Sequence, residues 1–286
     1  MTIALAAGRF FGDTVGIEIA GAILSEVRHD LGRTVPDHTH ACAYFTLLVE
    51  GSYTETCGDT TVVYDPFTVV FHARRMQHTD TIGPSGGRFF TVELGERWTN
   101  VVAAVRDNIV ELRGGEPAWL MSRLYQEFLT RDAASPLTIE SLLYELCASV
   151  GELAALPPEA PAWLGTVDAV VERTFTEPFS LQRLADDAGV HPSHLCRTFH
   201  RFRGRTIGDV VLGMRLQLAC RGVVETDRAL ADVAADAGFT DASHMTHVFK
   251  RVLGTTPGTY RRAMRVSPPT GDAPDAQTGG SSRCIP

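Results

Sequence analysis

The pattern of apolar and polar residues divides the chain into three regions. Up to about Leu94, apolar residues occur in short runs rich in Val, Thr, Phe and Tyr, and glycine or proline separates the runs. Runs of this kind are typical of the strands of a β-sandwich or β-barrel. The predicted strands are Tyr44–Val49, Thr60–Tyr64, Phe67–Phe71 and Phe89–Leu94.

Two helices are predicted to follow the strands, roughly Pro117–Arg131 and Pro136–Ala155. An apolar stripe at helical spacing runs along the second helix. Its residues are Leu142, Leu146, Val150 and Leu153. We expect the stripe either to form a dimerisation surface or to pack on the barrel of its own chain.

The proline-rich segment from Leu156 to Pro161 marks a domain boundary. It cannot continue a helix, because proline removes a backbone N–H and fixes φ. From Ala162 to about Met264 the pattern is helical, and the last twenty residues contain four prolines, three glycines and no aromatic residue. Those last residues cannot bury enough apolar surface to order themselves. The prediction is an effector and dimerisation domain (1–156), a linker (157–161), an all-α DNA-binding domain (162–266) and a disordered tail (267–286).

The helical region contains an internal repeat. The segments Leu181–Gly204 and Leu230–Gly254 align with an offset of 49 residues before a central turn and 50 after it. Ser180 is expected to cap the first helix. Gly189 and Gly238 stand where the first helix of each copy must end in a left-handed conformation, which glycine adopts without steric cost. The repeat predicts two helix-turn-helix units, whose second helices enter the major groove.

The apolar positions of these second helices define an outward face in each copy. With Leu195 and Phe199 inward in the first copy, and Met245 and Phe249 inward in the second, the opposite faces are polar and basic. The outward residues are Ser193, Cys196, Arg197, His200 and Arg201 in the first copy, and Ser243, Thr246, His247, Lys250 and Arg251 in the second. Arg197 is suited to a bidentate contact with guanine, whereas the last two residues would reach phosphates. A helical hairpin repeat with a solvated basic face is the alternative.

The charge distribution agrees with a nucleic-acid partner for one half of the chain only. The net charge is −8, yet residues 162–266 contain thirteen Arg and one Lys against eleven acidic residues, a net +3 that leaves −11 for the remainder. Such a difference in sign is expected if one half meets phosphate. An architectural protein that binds DNA without sequence preference is a weaker alternative, which the acidic half disfavours.

The stretch from Phe179 to Arg262 resembles the AraC/XylS family of transcription factors. The most specific part runs from Gly238 to Arg261 and reads GF-x-D-x-S-H-x4-FK-R-x2-G-x-TP-x2-YR. The resemblance implies a sequence-specific transcriptional regulator and not an enzyme, with a linker helix that holds two recognition helices at a fixed distance. The base-reading positions that it implies are Ser193, Cys196, Arg197, His244, Thr246 and His247.

Histidines in the first half resemble the motifs of cupin-like sensor domains. The matching residues are Gly32, His38, His40 and Gly51 for the first motif and His78 for the second. Three neutral imidazoles suit a divalent metal such as Zn, Cu, Fe or Ni. The acidic residue expected three or four positions after His40 is absent, since Tyr44 and Phe45 stand there. The fold class is thus α+β: a cupin-like β-barrel with two following helices, then two helix-turn-helix units.

Two alternatives concern the barrel. A pocket without metal is one, with Tyr44, Phe45, Tyr53 and Tyr64 as candidate walls. The other is a metal-dependent cupin enzyme fused to a DNA-binding module, which the missing acidic ligand disfavours. The expected partners are double-stranded DNA, a small-molecule effector, RNA polymerase and a second copy of the chain.

Cysteine usage and hydropathy suggest the compartment. The six cysteines are scattered without a CxxC pair, which fits a reducing cytosol better than a disulfide framework. The sequence has no apolar run of the roughly 18 residues that a membrane span needs, and no basic segment precedes its apolar start. We therefore expect a cytoplasmic protein.

Overall fold

A computed structural model describes residues 2–99, 102, 110–113, 116–154, 159–178 and 180–265. The predicted tail lies outside the described residues, as do residues 157 and 158 of the predicted linker. The strands are β1 (Ile3–Leu5), β2 (Asp13–Ile19), β3 (Ala22–His29), β4 (Thr34–His40), β5 (Ala43–Cys57), β6 (Thr60–Tyr64), β7 (Thr68–His72), β8 (His78–Leu94) and β9 (Val110–Arg113). The helices are α1 (Glu96–Thr99), α2 (Glu116–Thr130), α3 (Ser135–Ala154), α4 (Ala162–Thr174), α5 (Leu181–Asp187), α6 (Pro192–Arg203), α7 (Ile207–Glu225), α8 (Leu230–Asp236), α9 (Ala242–Leu253) and α10 (Pro257–Arg265).

Within the described residues, nine strands form one curled sheet, a half-barrel. Its main path runs β1-β4-β8-β5-β7-β9; β3 pairs with both β2 and β8, and β6 pairs with β5. The long strands β5 and β8 bend at two irregularities of their register. Gly51 lies at one bend with φ +88°, where an added Cβ would stand 2.1 Å from the Gly86 carbonyl oxygen, so only glycine fits.

One face of the sheet carries the main hydrophobic core. Phe45, Phe71 and Phe90 are buried on this face, and Phe90 packs at 5.5 Å from the Phe128 ring of α2. Because side chains alternate along a strand, the neighbouring residues Tyr44 and His72 lie on the opposite face, in a pocket described below.

The apolar stripe of α3 belongs to this same core. Leu142, Leu146 and Val150 are at most 1% exposed in the single chain, so they do not offer a free dimerisation surface. The prediction of such a surface is wrong for these three residues, and the alternative, a helix packed on its own domain, describes them. The side chain of Leu153 lies outside the described residues.

The helical region contains two helix-turn-helix units that share α7. The first unit consists of α4, α5 and α6 with the beginning of α7, and Leu164, Leu184, Phe199 and Val211 lie in its core. The second unit consists of the end of α7 with α8, α9 and α10. Its core is continuous with that of the sheet and α2. The hydrophobic core therefore crosses the predicted domain boundary.

Matching arginines hold the two units in the same way. Arg215 of α7 donates two hydrogen bonds to carbonyls in the loop after α4, the first of them Phe175, at 2.6 and 2.7 Å. Arg265, 50 positions later in α10, donates to the carbonyls of Val224 and Thr226 at 2.9 and 2.7 Å. The repeat thus extends into the third helix of each unit, beyond the segments aligned from the sequence.

The predicted helix ends are confirmed. The Ser180 hydroxyl accepts from the backbone N–H of Arg183, and Gly189 and Gly238 have φ of +65° and +77°. Both recognition helices, α6 and α9, end at a left-handed glycine. Among the described residues no helix is both long and apolar enough to cross a bilayer.

Candidate DNA-binding surface and histidine pocket

The two recognition helices are built alike. α6 begins with Pro192 at its first turn after His191, whose ring accepts from the backbone N–H of Ser193. α9 begins after Asp241, whose carboxylate accepts from the backbone N–H of His244 at 2.7 Å. Each helix has twelve residues, so the two copies present equivalent positions to solvent.

The predicted outward residues lie on the surface. They are exposed in both helices, except that Thr246 is half-buried: Ser193, Cys196, Arg197, His200 and Arg201 in α6, and Ser243, His244, Thr246, His247, Lys250 and Arg251 in α9. Two of them have local partners. The hydroxyl of Ser193 lies 2.8 Å from Nδ1 of His191, and the His244 ring meets the Phe239 ring edge-on at 5.4 Å.

Three cations of these faces differ from Arg203, the last residue of α6. Within the described part of the chain, Arg197, Lys250 and Arg251 have no ion pair. By contrast, Arg203 pairs with Asp168 of α4 at 2.5 Å. Arg197, Lys250 and Arg251 are therefore available to phosphate or base oxygens, whereas Arg203 holds the unit together.

The sheet brings the three predicted histidines together. His38 and His40 of β4 and His78 of β8 are each 3% exposed, and one ring nitrogen of each lies within 4.8 Å of the others. Residues two apart on one strand face the same side, which explains the first pair. The pairing of His38 with His78 across the two strands adds the third.

Carbonyl groups orient two of these rings. Nδ1 of His38 lies 2.8 Å from the Pro36 carbonyl oxygen, and Nδ1 of His78 lies 3.3 Å from that of Met76. A carbonyl only accepts, so each Nδ1 carries the proton and each Nε2 keeps a lone pair. The Nδ1 of His40 is buried without a partner in the described residues.

Burial keeps the rings neutral. Loss of solvation, together with the neighbouring histidines, lowers the pKa of His40 to about 2 and that of His78 to about 3. Burial also lowers the pKa of His38. Neutral imidazole is the form that coordinates a metal, so the donor set fits a divalent cation at neutral pH.

Tyr44 occupies the position where the cupin motif has its acidic residue. Its hydroxyl lies 3.2 Å from Nε2 of His78, and its ring stacks on that of His72 at 4.4 Å and 5°. Because His78 Nε2 is the acceptor, the hydroxyl donates. The position therefore holds a hydrogen-bond donor to a histidine and no ligand carboxylate.

A buried carboxylate that the sequence did not reveal lies close by. Glu55 of β5 is 2% exposed, and its oxygens lie 3.1 and 3.2 Å from Nε2 of His72. Burial raises the pKa of Glu55, but the charge and hydrogen bond of His72 outweigh it and hold the pKa below its usual value. In the sequence, Glu55 appears only as a polar residue on the inward side of a strand. Its partner can be identified only once β5 is placed beside β7.

The cavity enclosed by these groups has a volume of about 50 Å³. Phe10 and Phe11, in the segment between β1 and β2, cover it at ring distances of 4.9 Å from His40 and 5.3 Å from His38. Tyr44 and Tyr53 line the cavity as predicted.

Two predicted walls lie elsewhere. Phe45 points to the opposite face of the sheet, because it is the strand neighbour of Tyr44. Tyr64 is buried behind Tyr53, with 4.9 Å between the ring centroids. Their assignment to the pocket is therefore wrong.

Comparison with known proteins assigns the helical region. A family model for a helix-turn-helix domain matches residues 184–263. The chain is 31% identical over 154 residues to an AraC-like transcription regulator of Streptomyces lividans, which is 50% of this chain and 51% of that protein. It is 33% identical over 85 residues to the transcription factor PqrA of Proteus vulgaris, which is 30% of this chain and 70% of PqrA.

The extent of these matches is limited outside the helical region. The chain spans about half the length of several curated relatives that it matches. Among solved structures, ToxT from Vibrio cholerae O395 aligns with 86% of this chain and 98% of its own, at 9% identity and a TM-score of 0.38. The helix-turn-helix match and the relatives together show that the chain belongs to the AraC/XylS family of DNA-binding transcriptional regulators.

Proposed function

We propose that this regulator reads two successive major-groove segments with α6 and α9, under the control of a cation bound by His38, His40 and His78. The observation that carries the first part is the pair of equivalent helices with exposed polar and unpaired basic faces. A helix of this size fits the major groove, where base pairs present distinct donors and acceptors.

The size and chemistry of the histidine pocket, formed by the three histidines with Tyr44, His72 and Glu55, support the second part. A volume of about 50 Å³ accommodates an ion with a few waters, since one water needs roughly 10–15 Å³. Sites for drug-sized ligands are larger, about 300–1,000 Å³. The lone pairs on His38 and His78 are already oriented, and the buried Nδ1 of His40 lacks a partner in the described residues. A bound divalent cation would supply positive charge and a fixed geometry at this point.

We further propose that the chain acts as a regulator and not as an enzyme. Two carboxyl groups lie near pocket histidines in the described residues: Glu55 is engaged with His72, and an Asp80 oxygen lies 3.9 Å from Nε2 of His78, beyond ligand distance of the three-histidine cluster. Contact with RNA polymerase, pairing of two copies and a cytoplasmic location stay predictions.

Calorimetric titration of the full-length protein with Zn²⁺ and with Ni²⁺ tests the cation site. We expect one ion per chain, and we expect the double variant His38→Ala/His40→Ala to lose binding. The matched control is His29→Ala, because His29 lines the same cavity but lies outside the three-histidine cluster. Equal binding by the double variant and the wild type would show that the cluster is not the site.

Sequencing of genomic fragments retained by the protein tests the DNA-binding proposal. We expect retained fragments to share two short motifs about one helical turn apart. Retention of fragments without any shared motif would support binding without sequence preference instead.

A further inference from the structure

The two helix-turn-helix units are attached to the sheet unequally. Every member of the first unit's core lies between Trp163 and Met214. A cleft of about 460 Å³ separates this unit from the sheet, with Val63 on one side and Val171 on the other. The second unit instead shares its core with α2 and the sheet. A change in the sheet therefore acts on the second unit more directly than on the first.

Strand β7 connects the histidine pocket to this shared core. All five of its residues are buried. At one end His72 lies in the pocket, and immediately before the other end Phe67 lies 6.3 Å from the Tyr260 ring of α10. The preceding residue also contacts the shared helix, because the Pro66 carbonyl oxygen accepts from Gln217 of α7 at 3.2 Å.

Phe67 has a strained backbone at this junction. Its φ is +66°, although it is a bulky residue, and its N–H donates to the Leu48 carbonyl oxygen at 2.7 Å. Such a conformation is unfavourable for a bulky side chain and persists only where the surroundings enforce it. Here the ring is buried beside Tyr260 and the N–H is held by Leu48, so a shift of β7 that loosens either contact acts on this residue first.

The histidine pocket contains a trigger for such a shift. A cation bound through Nε2 of His78 needs the lone pair that now accepts from the Tyr44 hydroxyl. Binding therefore displaces that hydroxyl, and the Tyr44 ring lies flat on His72, the last residue of β7.

We propose that β7 and the turn Asp65–Phe67 carry the state of the histidine pocket to the second helix-turn-helix unit, so that a cation changes DNA binding by α9 while α6 keeps its affinity. The proposal rests on the cation site proposed above. The steps are displacement of Tyr44 from His78, movement of His72 along β7, and repacking of Phe67 against Tyr260.

The experiment measures binding of the full-length protein, with and without Zn²⁺, to two duplexes made from a retained genomic fragment. In one duplex the half-site of α6 is scrambled, and in the other the half-site of α9. Zn²⁺ is expected to change the affinity for the duplex that retains the α9 half-site by roughly 5-fold or more, the lower range of allosteric coupling. The affinity for the other duplex is expected to stay the same.

Variants distinguish the relay, which is β7 with the turn Asp65–Phe67, from the cation site. Phe67→Leu should bind Zn²⁺ like the wild type but lose most of the DNA response, whereas Phe45→Leu, an equally buried Phe of β5, should keep it. Tyr44→Phe should bind Zn²⁺ more tightly, because no hydroxyl competes for His78, and should also lose the response. If Phe67→Leu does not fold, Gln217→Leu tests the same junction by removing only the bond to the Pro66 carbonyl.

The outcomes distinguish the two proposals. If Zn²⁺ binds but both duplexes respond equally, or if Phe67→Leu and Gln217→Leu respond like the wild type, the relay is wrong and the cation site stands. If Zn²⁺ does not bind the wild type, the cation site is wrong and the relay is wrong with it.

Discussion

At the scale of single residues, Glu93 of β8 is a carboxyl group whose burial disfavours its ionised form. It is 1% exposed; one oxygen accepts from the backbone N–H of Gly8, and the other has no partner in the described part of the chain. Burial raises the pKa of Glu93 from 4.5 to about 7, although the bond from Gly8 lowers it. The folded state therefore keeps a proton at mildly acidic pH that the unfolded state has lost.

This proton makes stability depend on pH. The contribution of Glu93 is fully present below about pH 4.5 and is lost as the pH rises to about 7. We expect Glu93→Gln to raise the free energy of unfolding by about 2–3 kcal/mol at pH 8 and to change it little at pH 4.5. Urea denaturation at the two pH values measures the difference. The exposed Glu96→Gln serves as control, and an equal effect of Glu93→Gln at both pH values would contradict the assignment.

The two proposed recognition helices carry unequal side chains at one equivalent position. Arg197 in α6 reaches far enough for a bidentate contact worth about 1–3 kcal/mol of discrimination. His247, 50 positions later in α9, is shorter and offers one good donor. We expect Arg197→Ala to relax base preference in one half-site and His247→Ala to change preference less in the other. Titrations on operators with single-base changes measure this, and a uniform loss for Arg197→Ala would make it a phosphate contact.

Phosphate contacts have a different signature. Lys250→Ala and Arg251→Ala should weaken binding to all sequences alike. Each should also reduce the slope of log affinity against log salt by about 0.9, because one fewer counterion group is released. Binding measured at four salt concentrations checks the slope. Arg203→Ala is the comparison, since Arg203 pairs with Asp168 and should lower stability without this change in slope.

At the scale of elements, the turn glycines of the two units differ in their surroundings. Both have positive φ, but an added Cβ at Gly189 meets nothing within 4 Å, whereas at Gly238 it would lie 2.5 Å from the Thr176 carbonyl oxygen. The turn of the second unit thus presses on the loop after α4. Equivalent positions of the repeat therefore carry different constraints.

Alanine at these two glycines is expected to separate the constraints. Gly189→Ala should cost about 1–2 kcal/mol, the penalty of a left-handed alanine. Gly238→Ala should cost clearly more, because the backbone of Thr176 must also move. Denaturant unfolding of the two variants measures the loss in the free energy of unfolding. Equal losses would show that the loop can move away from the turn at little energetic cost.

The elements that the sequence predicted well are those fixed by local chemistry. The recognition helices follow from Gly189 and Gly238 and from the apolar spacing around Phe199 and Phe249, which stand 10 and 11 residues after those glycines. The pair of Glu55 and His72 depends on the bend of β5, because His72 pairs in the sheet with Tyr44, eleven residues before Glu55 in that strand, so no local pattern contains it. The clustering of His38, His40 and His78 was predictable only through the resemblance to cupin motifs.

At the scale of the whole molecule, the shared core joins the second unit to α2. A fragment that begins at Pro161 keeps the first unit's core but uncovers the face of α9 and α10 that packs on α2. We expect amide hydrogen exchange in α8–α10 to be much faster in this fragment than in the full chain, with α4–α6 little changed. Equal protection of both units in the fragment would mean that the second unit needs no support from α2.

With α6 and α9 each reading a half-site as proposed, helix α7 would also limit which stretches of a genome this regulator can recognise. Its 19 residues span about 28 Å and belong to both units, with no break between them. One inserted base pair rotates a half-site by about 34° around the duplex, given roughly 10.5 base pairs per turn. A continuous helix has no hinge that could follow this rotation. The protein therefore fixes the rotational angle between the two half-sites. Operators for this regulator are then expected to tolerate substitutions between their half-sites but not a change in length there.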